Sequence, residues 1–341
     1  MLDDLKLIHE KDTQDALGIA EKQWQQLEYG FDIPAINAKI DNIVFAGMGG
    51  SALGALLSTT WPGYTVPFEI CRSYNIPAYV SGKTLFIASS YSGNTEETIA
   101  ALHQAEANHA VIVVIAGGGK LRDLAEEKGH IFVQLPPASQ PRYAALYGLK
   151  ALVAILQKCN LLHTGDVADI SETAAYIKNA ALNWRADVPK NKNLAKQIAL
   201  DVIGTSPVIY ASNLLYPAAY KWKISFNENA KNVAWCNVYP EFNHNEFLGW
   251  SSHPIDKPYS VIDLRSSFDH PRIQKRFDLS AKLLSGKRPA PISVELQGDT
   301  LLEQLLWAMV LGDFVTIYTA LLNGVNPSPV DLVEKLKKEL A

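Results

Sequence analysis

From residue 42 the chain alternates short runs of apolar, often β-branched residues with segments whose apolar positions recur every three or four residues. The stretch 42–47 (NIVFAG) reads as a strand broken at a glycine, and 51–61 (SALGALLSTTW) as the helix it feeds. Further strands are predicted at 65–74 and 84–90, with a helix over 94–109. The run 110–118, AVIVVIAGG, lacks the polar alternate positions of a half-exposed strand and suits the middle of a parallel sheet covered on both faces. A helix over 121–130 and a strand at 131–136 complete the series. Strand–helix alternation of this kind predicts an α/β fold, a doubly wound parallel sheet flanked by helices.

A long helical segment follows from residue 142 to about 162, with further helices over 171–187 and 193–204. At 207 the pattern restarts with a strand (207–212) and a helix (213–230), then strands at 259–265 and 292–298 and a helical end. Length agrees with pattern, because 341 residues suit two domains of about 150 residues each. The expected division is an N-terminal α/β domain over 1–150 and a C-terminal one over 151–341 that includes linker helices and a terminal helix. No low-complexity stretch interrupts them, and the halves resemble each other only in layout.

Composition narrows the partners. A net charge of −4 gives no electrostatic reason to bind nucleic acid or an anionic membrane. Cys71, Cys159 and Cys236 stand far apart, so neither a disulfide framework nor a cysteine zinc site is expected. The polar, acidic start is wrong for a secretory signal, and the apolar stretches fall short of the roughly 20 residues that cross a bilayer. A cytoplasmic protein is expected.

Two loops carry candidate chemistry. GMGGSALG (47–54) closes the first strand and opens a helix, where unpaired N–H groups and a partial positive charge favour a phosphate. Gly47, Gly49 and Ala52 also fit the dinucleotide fingerprint, with Glu69 as its ribose-binding acid. Against a nicotinamide cofactor, Glu69 lies inside its strand pattern and some 40 residues precede the glycine loop. The second loop, SSYSGNTEET (89–98), follows another strand, and ligands of open parallel sheets bind beyond the carboxyl ends of the strands. Ser51, Ser90, Ser92 and Thr95, with backbone N–H groups such as that of Gly50, can donate to a phosphate monoester. Turn formation and helix capping alone also favour such residues. Neither loop holds a lysine or arginine. Ser89 reads as structural, and Glu96 and Glu97 as first-turn acids that stabilise their helix.

Together with PRYAALYGL, YKWKISFNENAK and PEFNHNEFLGW, these loops resemble the sugar-isomerase (SIS) phosphosugar-binding domain, and specifically the bifunctional phosphoglucose/phosphomannose isomerases. The resemblance runs from about residue 40 to the end in five ordered blocks. It implies two SIS domains and a homodimer with the active site at the domain and subunit junction. It also implies reversible aldose–ketose isomerisation of glucose 6-phosphate, and of mannose 6-phosphate, with fructose 6-phosphate. The terminal NPSPVD departs from the DPTPV-like form of the family.

Such an isomerisation opens the sugar ring and moves a proton between C1 and C2 through a cis-enediol. It requires a phosphate anchor, a base, a proton donor and acceptor at the ring oxygen, and a cation near the oxyanion. No metal or redox cofactor is called for, and none is expected. The resemblance places the base at Glu228 in NENAK. Asn227 and Asn229 flank it as groups able to orient its carboxylate, and its place at a helix C-terminus is the unfavourable end for a carboxylate. His244, between two asparagines, would serve ring opening, and the family pattern supplies it from the neighbouring subunit. Arg142, which by itself reads as a surface arginine, would stabilise the enediolate. Among Lys335, Lys337 and Lys338 the pattern points to Lys337. Rival readings are a metal site from Cys236, His244 and Glu246, a non-catalytic phosphosugar sensor, and a nicotinamide-dependent dehydrogenase. The sensor would not need Arg142, Glu228 and His244 together.

Overall fold

Alternate side chains of the strand Thr84–Ser90 enter opposite faces of a parallel sheet, and both faces are covered. The computed structural model describes residues 1–251 and 258–340. Its contacts separate two units, Gln23–Ala175 and Met1–Lys22 with Tyr176–Ala341. Residue 150, the division expected from the sequence pattern, lies inside a helix of the first unit.

In the unit Gln23–Ala175 the strands are β1 (Asn42–Ala46), β2 (Gly63–Tyr64), β3 (Phe68–Cys71), β4 (Thr84–Ser90), β5 (Val111–Ala116), β6 (Ile131–Gln134) and β7 (Leu162–Thr164). The main sheet has the order β3-β1-β4-β5-β6, with every neighbour parallel. Its helices are α3 (Trp24–Glu28), α4 (Leu53–Ser58), α5 (Glu96–Ala107), α6 (Gly119–Lys128) and α7 (Ala145–Lys158). One face buries Leu85, Ile87, Val113 and Ile115 against Ala55 of α4 and Ala151, Leu152 and Ile155 of α7. The other buries Phe86, Ala88, Ile112 and Val114 against Ala101 and Leu102 of α5 and Leu121 of α6. Two-sided burial explains the unbroken apolar run of β5. The order reverses between β1 and β4, which opens a crevice at their carboxyl ends. Residues 162–164, expected at a helix end, instead pair antiparallel with β2.

The other unit holds a second parallel sheet, β11-β10-β8-β9, from β8 (Ser206–Ser212), β9 (Trp235–Tyr239), β10 (Tyr259–Arg265) and β11 (Ile292–Glu295). Its helices are α1 (Leu5–Lys11), α2 (Ala16–Glu21), α9 (Leu194–Val202), α10 (Tyr216–Glu228), α11 (Glu246–Gly249), α12 (Pro271–Leu283), α13 (Leu301–Leu322) and α14 (Asp331–Leu340). The division between units falls within α8 (Val167–Leu182). Tyr210, Tyr239 and Val261 pack with Phe242, Trp250 and Phe277 on one side of this sheet.

Helix α13 corrects an expectation about length. It is long and apolar enough to cross a bilayer, although nearly all of it is buried inside the protein. A helix that is apolar all round belongs in such a core. Its polar members are satisfied there: Asp313 accepts from the Lys221 ammonium and from Ser225 Oγ at 2.9 Å, and Thr316 Oγ1 accepts from Asn229 at 2.9 Å.

Candidate active site

The glycine loop follows β1 and enters a short 3-10 turn, Gly49–Ala52, before α4. Gly49 has φ +49°, a left-handed conformation that glycine adopts without strain. A Cβ on Gly47 would lie 2.9 Å from the carbonyl oxygen of Ser89, and one on Gly50 would lie 2.8 Å from the backbone nitrogen of Arg142. The glycines therefore let three chain segments meet at the carboxyl ends of β1, β4 and β6.

Hydroxyl groups link these segments. Ser51 Oγ accepts from the backbone N–H of Tyr91 at 2.9 Å, which ties the glycine loop to the serine loop. Ser90 Oγ lies 2.7 Å from Thr95 Oγ1 and 3.4 Å from Ser92 Oγ, and it accepts from Gly93 N at 3.1 Å. Thr95 is also the N-cap of α5, so the three hydroxyls cluster where that helix presents its unpaired N–H groups. Ser90 is buried and Ser92 exposed, so the cluster spans from the protein interior to the surface. Gly50, Ser51, Ser90, Ser92 and Thr95 thus lie in the two loops at the carboxyl ends of β1 and β4.

Arg142 departs from its reading as a surface residue. It is fully buried in a short 3-10 turn, Pro141–Tyr143, and its guanidinium lies 4.7 Å from the centre of the Tyr143 ring. The close approach of Gly50 to its backbone draws it inward, and that long-range contact leaves no mark on the local pattern. It brings the backbone of an arginine against a loop that holds no cation of its own.

A third loop went unread in the sequence. Gly117, Gly118 and Gly119 follow β5 and interlock with the serine loop. Gly117 N donates to Tyr91 O at 3.0 Å, and Leu121 N to Gly93 O at 2.9 Å. A Cβ on Gly93 would overlap Gly118 O. Three consecutive glycines after a strand were the available signal. Glu69, the acid of the dinucleotide reading, instead accepts from the Tyr79 hydroxyl at 2.5 Å.

In the other unit, α10 ends at Glu228, which is half-buried. The flanking asparagines hold scaffold: Asn227 Oδ1 accepts from Ala234 N at 3.1 Å, and Asn229 donates to Thr316. The helix is anchored by a fully buried ion pair, Lys221 with Asp313, and by Trp222 Nε1 donating to Ala308 O at 2.7 Å. Removing either partner of such a pair would leave an uncompensated buried charge, which makes the anchor costly to break.

His244 ends the 3-10 turn Glu241–His244 after β9 and is exposed. The polar residues around it build its support. Asn243 donates to Ser280 Oγ and accepts from Arg276, each at 3.0 Å, and Asn245 donates to Glu241 at 2.5 Å. Glu246 accepts from Asn237 at 2.6 Å and from the Tyr210 hydroxyl. Burial pushes the Cys236 thiol up to about 11. Among the described residues no three His, Cys, Asp or Glu side chains are grouped as metal ligands. Lys337 lies in α14, exposed and paired at 2.7 Å with Glu334 of its own helix.

Beneath the aromatic cluster around Tyr210 lies a group the sequence did not mark. Asp263 on β10 is buried, and burial lifts its carboxyl to about 7 despite the opposing charges of Arg288 and Arg265. The Arg288 guanidinium stands 5.4 to 5.8 Å from the ring centres of Tyr210, Phe242 and Trp250.

The chain is similar to known proteins over most of its length. Residues 191–340 match a family model described as the bacterial phospho-glucose isomerase C-terminal SIS domain. A bifunctional phosphoglucose/phosphomannose isomerase of Caldicellulosiruptor bescii is 35% identical over 327 residues, covering 93% of this chain and 96% of that protein. A D-glucosamine-6-phosphate 4-epimerase of Sulfolobus acidocaldarius is 35% identical over 240 residues, 68% of this chain and 73% of that protein. The crystal structure of a glucose-6-phosphate isomerase like protein from Thermus thermophilus superposes with a TM-score of 0.69 at 17% identity, covering 99% of this chain and 98% of that one. Both parallel sheets accordingly belong to a two-SIS-domain α/β fold.

Proposed function

The chain belongs to the family of bifunctional phosphoglucose/phosphomannose isomerases, and we propose that it interconverts glucose 6-phosphate and mannose 6-phosphate with fructose 6-phosphate. The observation that supports this best is the gathering of Ser51, Ser90, Ser92 and Thr95 beside the glycine loop and Arg142 at the carboxyl ends of a parallel sheet. Neutral hydroxyl and backbone donors at a helix N-terminus suit a phosphate dianion.

In this reading the phosphate is held by those hydroxyls and the N–H groups of the glycine loop. Glu228 takes the proton from the carbon next to the carbonyl and returns it to the adjacent carbon, passing through a cis-enediol. His244 gives a proton to the ring oxygen on opening and takes one back on closing, a task for an imidazole whose two ring nitrogens can donate and accept. Its exposure suits a residue supplied to the partner of a homodimer. The Arg142 guanidinium stabilises negative charge on the enediolate oxygens. Lys337 is the remaining cation of the family pattern. The residues proposed for the phosphate belong to one unit, and Glu228, His244 and Lys337 to the other.

A second reading rests on the Sulfolobus acidocaldarius relative, whose name assigns it epimerisation at C4 of an amino-sugar phosphate. One experiment separates the two. Purified protein is incubated with fructose 6-phosphate while glucose and mannose 6-phosphates are measured separately, and with glucosamine 6-phosphate in parallel, with and without EDTA. Formation of both aldose phosphates, unchanged by EDTA, is expected. Turnover of glucosamine 6-phosphate alone would favour the epimerase.

A further inference from the structure

Helix α10 closes in an unusual way. After Glu228 and Asn229 the chain turns back at Lys231, whose φ is +53°, and the amide of Asn232 reaches the carbonyl of Phe226 at 3.1 Å. A left-handed residue that ends a helix in this way is usually glycine. Any Cβ is strained there. This chain places a lysine instead, and strained backbone of this kind points to a task for its side chain.

The task is visible in its bonds. Lys231 Nζ donates to the carbonyl oxygens of Glu228 at 2.8 Å and Asn229 at 3.3 Å, and to those of Asn326 at 2.9 Å and Pro327 at 3.1 Å. The first two belong to the helix end, where carbonyls lack amide partners and carry the negative pole of the dipole. The other two lie in the turn before α14. Three ammonium hydrogens are shared among four acceptors. The rest of the block is fastened too: Asn232 donates to Thr205 O at 2.8 Å, and Asn323 to Ala230 O at 3.1 Å.

We propose that Lys231 is a positioning residue for the isomerisation: its ammonium clamps the open end of α10 to the 326–327 turn and so fixes the backbone that carries Glu228. The proposal rests on the assignment of Glu228 as the base. A general base works only within hydrogen-bond reach of the proton it takes, and a fraying helix end moves it out of reach.

The test uses variants that separate clamp from fold. Lys231→Gly suits the left-handed backbone while deleting the ammonium. Lys231→Cys, alkylated with bromoethylamine, rebuilds an ammonium of nearly the same reach. Lys231→Gly should keep its thermal midpoint within a few degrees and its KM within about twofold, while kcat falls at least about tenfold, as displacement of a catalytic group does. Amide hydrogen exchange over 225–232 should quicken. Alkylated Lys231→Cys should recover most of the lost kcat, with the parent protein treated identically as control. Parent-like kcat in Lys231→Gly, or no recovery on alkylation, overturns the proposal. Should the glycine variant not fold, the cysteine variant before and after alkylation carries the same comparison. Glu228→Gln is assayed alongside. Its normal turnover would remove the base assignment and the clamp's purpose with it. Its inactivity beside a fully active Lys231→Gly would overturn the positioning role alone.

Discussion

A Cβ placed on Gly50 would stand 2.8 Å from the backbone nitrogen of Arg142, a distance real Cβ contacts do not adopt. The obstacle is main chain on a buried turn, which cannot swing aside as a side-chain tip would. Gly50→Ala therefore pushes the glycine loop and the arginine apart. The expected result is at least about a tenfold loss in kcat/KM with the fold retained, because small displacements of positioned groups cost that much. Steady-state kinetics and circular dichroism on the variant check it; unchanged kinetics would mean the contact does not organise the site.

The hydroxyl cluster makes a graded prediction. Ser92 is the exposed member, 3.4 Å from Ser90 Oγ, so its removal leaves the Ser90–Thr95 pair in place. Ser92→Ala should raise KM about fivefold with little change in kcat, since a neutral donor contributes about 1 kcal/mol. Ser90→Ala should cost more, because it removes the buried hydroxyl that pairs with Thr95 Oγ1 at 2.7 Å. Equal and negligible effects on KM would place the phosphate elsewhere.

Glu228→Gln keeps size and polarity at the end of α10 but removes the basic oxygen. The proposed role predicts a loss in kcat of several orders of magnitude with KM nearly unchanged, the signature of an interaction made in the transition state. Exchange of the C2 hydrogen of glucose 6-phosphate with solvent deuterium should vanish with it. Retained exchange would assign the base to another residue.

Asp263 predicts how stability responds to pH. Its folded-state value of about 7 stands above the ordinary 3.8, so between those values the folded chain holds a proton that the unfolded chain has released. Stability from this group is then present below about pH 4 and is lost as pH rises to about 7, by no more than ~4 kcal/mol. Asp263→Asn should remove that loss, so its stability gain over the parent is largest at pH 8 and vanishes near pH 4. Chemical denaturation at the two pH values measures it. A gain of the same size at both would show that the carboxyl is ionised in the folded protein.

Much of this architecture is written in local pattern. Strands 84–90 and 259–265 fall where the apolar runs place them, and the glycine and serine loops sit at strand ends as expected. Features set by distant contacts are not. Arg142 is buried by packing on a glycine more than ninety positions away, and the pairing of β2 with β7 involves only a few residues on each side. Helix α12 buries one stripe, Phe277 and Ser280 with Ile273 beside them, but the exposed Leu279 and Leu283 and the charged residues between mask it in the sequence. The asparagines beside Glu228 read as groups that orient a carboxylate, yet their bonds go to Ala234 and Thr316, because a helix end must first satisfy its own backbone.

The central claim is that strand-end hydroxyls hold the phosphate of a sugar monoester, and a crystal structure of the protein with fructose 6-phosphate tests it most directly. The account predicts phosphate oxygens within about 3 Å of the hydroxyls of Ser51, Ser92 and Thr95 and of the glycine-loop N–H groups. A phosphate bound away from residues 47–51 and 90–95 would contradict it.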